Sequence, residues 1–255
     1  MERSVLAVCL LTRGYKDLSH YEKLIKRNKC LEKFNNHLYN VDFIIFHEGN
    51  INIDHQKYIS EQTPSIKFRF VDVSKDFKND KKIEFYPPTK NFGLGYRNMC
   101  SFWFVGFWKY VCRYSKIIRI DEDCYIDFYF NDIFAKLDSK ICVYGKYVFD
   151  SPKVTEGLNE FTQKFFERRG KIVETKKPAG PYTNLIGLNL RLLRRNVVLE
   201  DYIKEINLSN NIYIYRWGDL PLWGEVLHYL YKDEDHLECK EIKYYHGSHK
   251  RDVNN

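Results

Sequence analysis

Lys116-Ile117-Ile118-Arg119-Ile120-Asp121-Glu122-Asp123 runs an apolar stretch of strand length straight into three carboxylates. The three isoleucines favour a buried strand. Three like charges in a row repel, so they need a compensating cation or full solvation. A hard divalent metal with oxygen ligands supplies that compensation. An Asp-x-Asp at a strand end suits a metal held by one or two carboxylates, with nucleotide phosphates filling other positions. The other reading is a hydrated acidic turn.

Around this stretch, apolar strand-length runs alternate with helical spacing. Residues 5–12 read as a first strand, 18–34 as a helix, 42–46 and 66–73 as further strands. A charged loop follows at 75–82, and Pro87-Pro88 stops regular structure. Residues 95–112 read as one long buried helix, with Met99, Phe102, Trp103, Phe107 and Tyr110 at three- and four-residue spacing. Beyond the acidic stretch, strands are expected at 141–144 and 183–190. Helices are expected at 154–169, 192–206 and 220–231, with 171–182 as a loop. This alternation predicts an α/β fold: a mixed, mostly parallel sheet flanked by helices. No linker or repeat divides the chain, so residues 1–255 are expected to form a single domain. Ligands of such sheets gather at the carboxyl ends of the strands. Thr12-Arg13 and Asp121 to Asp123 both follow strands, so they are expected at one edge.

Composition removes several alternatives. The 255 residues include 20 Tyr, 18 Phe and 4 Trp, enough large rings to build a core and to exclude disorder for most of the chain. The net charge of +7 suits an anionic ligand such as a nucleotide. Its Lys and Arg are dispersed rather than clustered, which argues against nucleic acid as a partner. The cysteines contain no Cys-x-x-Cys pair, so zinc-ribbon and thioredoxin-like chemistry lack support, and a reducing compartment is expected. No apolar run reaches the length of a bilayer span, and 5–11 is short for a signal sequence. A soluble, cytoplasmic protein is expected, with peripheral membrane contact left open.

Other residues could carry chemistry. His246 and His249 offer imidazoles that complete a carboxylate metal site, or are simply exposed near the terminus. In Arg216-Trp217-Gly218-Asp219-Leu220-Pro221, Asp219 fits a helix N-cap with Pro221 in the first turn. The cap accounts for it fully; the functional reading is a carboxylate aimed at a substrate hydroxyl. Thr12-Arg13-Gly14 could meet a nucleotide, and Gly93 and Gly95 could shape a phosphate-facing loop before a helix. Dinucleotide, Walker and Gly-x-Ser-x-Gly signatures are absent from the sequence.

Four blocks together resemble one family. They are Tyr96-Arg97-Asn98-Met99-Cys100-Ser101-Phe102-Trp103, Arg119-Ile120-Asp121-Glu122-Asp123, Tyr215-Arg216-Trp217-Gly218-Asp219-Leu220-Pro221 and Tyr244-Tyr245-His246. In order and approximate spacing they are similar to the fungal Golgi α-1,2-mannosyltransferases of the Kre/Mnt type. The resemblance implies a GT-A-like fold, a nucleotide-sugar donor such as GDP-mannose, manganese (or magnesium), a glycan acceptor and transfer with retention. It implies a mainly nucleotide-binding half at 1–123 and a mainly acceptor-binding half at 124–255. By position, Asp121, Asp123 and His246 match the metal site, with Asp121 also near the cofactor. Asp219 matches a residue contacting the acceptor hydroxyl, and Tyr96 an active-site tyrosine. Thr12, Arg13, Arg97 and Arg119 are candidates at the nucleotide and its phosphates, and Trp103 and Trp217 candidate stacking surfaces. The chain departs from the family in having Asp121-Glu122-Asp123 where Glu-Pro-Asp is usual. It also has no carboxylate in 182–189, where Asn184 or Asn189 is expected to stand in. Two other functions share these residues: a metal-dependent phosphodiester or pyrophosphate hydrolase, and a non-catalytic carbohydrate-binding module.

Overall fold

A computed structural model describes residues 5–35, 38, 40–78, 83–242 and 244–247. Seven strands build the central sheet: β1 (Leu6–Thr12), β2 (Val41–His47), β3 (Phe68–Asp72), β4 (Lys116–Ile120), β6 (Cys142–Tyr144), β9 (Leu185–Asn189) and β10 (His236–Glu238). Their order across the sheet is β10-β6-β9-β4-β1-β2-β3. Neighbours run parallel except at β9, which is antiparallel to both β4 and β6. Two short ribbons stand apart. One pairs β5 (Cys124–Ile126) with β11 (Tyr244–His246), and the other pairs β7 (Tyr147–Phe149) with β8 (Ala179–Pro181). The sheet draws on both the 1–123 and the 124–255 segments.

Every residue of β4 is buried, as are Ala7 to Leu10 of β1. Strands covered on both faces read as continuous apolar runs rather than alternating ones, which is why the sequence marks them clearly. Alternation then sorts their side chains. Ala7, Cys9 and Ile117 join a large core with Trp103, Phe104 and Trp223, whereas Val8, Ile118 and Ile120 join Leu31 and Ile133 in a second core. The covering helices are α1 (Glu22–Asn35), α2 (Ile53–Glu61), α3 (Ser74–Phe77), α4 (Leu94–Ser101), α5 (Phe130–Lys136), α6 (Leu158–Glu167), α7 (Leu190–Leu193), α8 (Val197–Ser209), α9 (Asn211–Ile214) and α10 (Asp219–Leu230).

Several expected elements differ in detail. The helix expected at 95–112 is α4 followed by a π turn over Phe102–Gly106 and a 3-10 turn over Phe107–Lys109. The helix at 192–206 is divided, because the Asn196 side chain accepts from the N–H groups of Val198 and Leu199 and starts α8. The loop at 75–82 begins as the end of α3, and positions 79–82 lie outside the described residues, as does His249. The loop at 171–182 contains β8, and α2 was not foreseen. All seven cysteines are free, five of them buried. No helix among the described residues is long and apolar enough to cross a membrane.

Candidate active site

The acidic stretch leaves β4 at its carboxyl end and turns sharply. The Asp121 N–H donates to the Asn184 carbonyl at 2.9 Å, and the Cys124 N–H reaches back to the Asp121 carbonyl at 3.2 Å. The turn hands the chain to β5, and β5 pairs with β11 so that Cys124 stands opposite His246. The Gly247 N–H closes this ribbon onto the Asp123 carbonyl at 2.9 Å. His246 Nε2 therefore lies 3.1 Å from Asp123 Oδ1, with both side chains largely buried. Burial pushes the Asp123 carboxyl up, but the hydrogen bond and charge of His246 hold it below its ordinary range.

Glu122, between the two aspartates, points toward the other strand end. Its carboxylate accepts from the Thr12 hydroxyl and, at 3.0 Å, from the Tyr15 hydroxyl. The expected meeting of the β1 and β4 edges is thus made by a side chain to which the sequence assigned no role. Arg13 faces solvent beside this junction, its guanidinium 5.2 Å from the Tyr15 ring centre.

Arg119 joins the acidic turn to the start of α10. Its Nε donates to Asp121 at 3.1 Å and its Nη1 pairs with Asp219. The guanidinium also lies 4.5 Å from the Trp103 ring centre. Arg119 is only 4% exposed and Asp219 only 5%, so both carboxylates are held by one buried cation. One expectation is corrected here. Gly218, in extended conformation, is the N-cap of α10, and Asp219 is the first helical residue, its carboxylate given to Arg119. Pro221 does fall in the first turn. Arg119 is engaged by two carboxylates.

Tyr96 projects from α4 and its hydroxyl accepts from Arg216 at 2.6 Å. Arg216 adopts φ +68°, an unusual left-handed conformation for a residue with a long side chain, and also meets Asp150 at 3.4 Å. Burial raises the Tyr96 hydroxyl well above its ordinary value, so it stays protonated. Arg97 is turned into the interior. It is wholly buried, donating to the carbonyls of Phe92, Thr89 and Tyr213, which commits it to the scaffold. Trp103 and Trp217 are likewise buried in the large core and offer no stacking surface. The two asparagines separate. Asn189 lies at the opposite end of the sheet, paired with Lys116, and caps α7. Asn184 stands beside Asp121, its Oδ1 accepting from Tyr244 at 2.8 Å and its Nδ2 buried without a partner.

The ligating atoms of Asp123, Cys124 and His246 lie within 4.8 Å of one another. Burial raises the Cys124 thiol far above its ordinary value, and it donates to the Asn184 carbonyl at 3.5 Å, so it remains protonated and is a poor ligand. What remains is a carboxylate and an imidazole; Asp121, also expected at the metal, is held by Arg119 and falls outside this group of atoms. That oxygen and nitrogen donor set fits a hard divalent cation such as Mn2+. Besides Glu122, sequence reasoning missed Tyr182, whose hydroxyl lies 3.5 Å from His246 Nδ1 on the side away from Asp123.

No protein-family profile and no curated protein matches the sequence. Solved structures do match the fold. The mannosyltransferase Ktr4p from S. cerevisiae superposes with a TM-score of 0.80 at 18% identity, over 96% of this chain and 71% of that one. Core-mannan synthase A (CmsA/Ktr4) from Aspergillus fumigatus, in an Mn/GDP form, gives 0.79 at 18% identity, over 96% and 75%. Mouse xyloside xylosyltransferase 1 gives 0.55 at 12% identity, over 92% and 84%. The architecture is therefore the GT-A fold of glycosyltransferases, and the mannosyltransferases it matches so well are of the same type that the sequence blocks resemble.

Proposed function

We propose that the chain is a metal-dependent glycosyltransferase that moves a sugar, mannose or a close analogue, from a nucleotide-sugar donor such as GDP-mannose to a glycan hydroxyl, with retention. The observation that carries this reading is the 3.1 Å contact between Asp123 and His246, two residues from distant stretches meeting at the carboxyl edge of a GT-A sheet. Asp123 and His246 would hold the cation. A cation bound there supplies Lewis-acid neutralisation of the departing diphosphate. Arg13 and Thr12 border the nucleotide side, where Arg13 meets phosphate charge. Arg119 orients Asp121 and Asp219 together, and Asp219 positions the acceptor hydroxyl. Tyr96, held by Arg216, presents a neutral hydroxyl to the sugar. In this reading residues 1–123 carry mainly the nucleotide and 124–255 mainly the acceptor. The seven free cysteines support a reducing, cytoplasmic compartment.

The test is transfer from GDP-mannose to methyl α-mannoside with Mn2+. Asp123→Ala and His246→Ala are each expected to lower metal-dependent turnover by about a hundredfold or more, with melting temperatures near that of the wild type. Full activity in both variants, or in excess chelator, would contradict the metal assignment. Release of free mannose regardless of acceptor would mark a hydrolase instead.

A further inference from the structure

A cavity of about 420 Å³ opens between the central sheet, the β7–β8 ribbon and α10. It is bounded by the ends of β6 and β10, by the β7–β8 ribbon and by the middle of α10. Tyr147 and Phe149 alternate onto one face of β7 and present their rings at its rim. Phe149 is 67% exposed, and Lys177 Nζ lies 4.9 Å from its ring centre. Phe149 and Tyr147 together give the cavity an exposed aromatic rim. Deeper in, Tyr144 packs 5.7 Å from Tyr147, and its hydroxyl lies 3.0 Å from His236 Nδ1.

The polar groups of the cavity are mixed in kind and sign. Glu225 is 4% exposed, and one oxygen of its carboxylate has no hydrogen-bond partner. Burial raises that carboxyl to about 7 and lowers His228 and His236, so the imidazoles are uncharged at neutral pH. Lys176, Lys177, Asp233 and Glu238 line the same space. Neither sign dominates, which disfavours phosphates, polyanions and polycations. Apolar ring faces beside uncharged donors and acceptors suit a ligand that is apolar on its faces and hydroxylated at its edge. A pyranose ring has that form.

We propose that this cavity is a saccharide subsite that takes an uncharged sugar of the acceptor glycan remote from the reacting hydroxyl. Its position fits that role. Glu225 lies about 9 Å along α10 from Asp219 at the helical rise. Asp150, which follows Phe149 directly, pairs with the Arg216 that holds Tyr96. The cavity and the proposed site thus share α10 and the chain that leaves β7. That the sugar belongs to an acceptor rests on the proposed transfer reaction, whereas saccharide binding in the cavity does not.

The test is calorimetric titration of the full chain with α-linked mannotriose, without nucleotide, in parallel with GDP plus Mn2+. Mannotriose is expected to bind the wild type, to bind Phe149→Ala at least tenfold more weakly, and to bind Phe149→Trp much as the wild type. GDP affinity is expected to be equal in all three. Phe149 is exposed, so its replacement leaves the core intact. Mannotriose that fails to bind the wild type, or binds Phe149→Ala unchanged, overturns the subsite. So does a sulfated heparin disaccharide that binds the cavity in preference to mannotriose. Loss of GDP binding with saccharide binding retained would refute the transferase reading and leave the subsite standing.

Discussion

At the scale of single residues, Arg119 determines how the site is held together. Its buried guanidinium is shared by Asp121 and Asp219, which come from elements far apart in the chain. Removing one partner of a buried ionic group is costly because the charges left behind lose both water and counter-charge. Arg119→Leu is expected to destabilise the fold by about 3–5 kcal/mol, read as a lower urea midpoint with an unchanged slope. A midpoint equal to that of the wild type would show that the two carboxylates do not depend on this arginine. The sequence presents Arg119 only as a cation inside an apolar strand, which is why a phosphate contact was the natural expectation. Its partner Asp219 is visible as a helix-start residue, and local rules then favour a cap. Gly218 takes the capping position instead, releasing Asp219 to face Arg119. Arg97 likewise takes partners that the sequence does not announce, the carbonyls of Thr89, Phe92 and Tyr213. Residue type is legible in the sequence, but a partner that only tertiary folding supplies is not.

At the scale of elements, β8 and α10 approach closely at two glycines. A Cβ on Gly224 would lie 1.6 Å from the Ala179 carbonyl oxygen, and one on Gly180 would lie 2.0 Å from that of Leu220. The helix that starts at Asp219 is thereby fixed against the ribbon that carries Phe149. Gly224→Ala forces backbone to move, so a loss of about 3 kcal/mol or more is expected, read as a melting temperature lower by roughly 6 °C or more. An unchanged melting temperature would mean that the ribbon yields freely. Nothing in Lys177-Pro178-Ala179-Gly180-Pro181 announces a strand, because its two prolines and glycine give the signature of a loop. The unforeseen α2 has a related cause. Only Ile59 of its residues is buried, so no apolar stripe marks it. By contrast β1, β4 and β9 were legible because burial on both faces demands unbroken apolar runs. The segment at 95–112 was legible as helical and buried, but its aromatic period does not distinguish an α turn from the π turn at Phe102–Gly106.

At the scale of the whole molecule, one sheet joins the two halves of the chain, and its carboxyl edge gathers what the sequence scattered. Glu122 ties the β4 turn to β1, the β5–β11 ribbon brings His246 to Asp123, and Arg119 brings α10 to the same turn. In the proposed reaction Asp123 and His246 would hold one divalent cation against a nucleoside diphosphate. Pulsed electron paramagnetic resonance on Mn2+ bound together with GDP tests it most directly. The wild type is expected to show hyperfine modulation from an imidazole nitrogen, and His246→Ala to lose it. A wild-type spectrum without that nitrogen, or one that His246→Ala leaves unchanged, would contradict the claim.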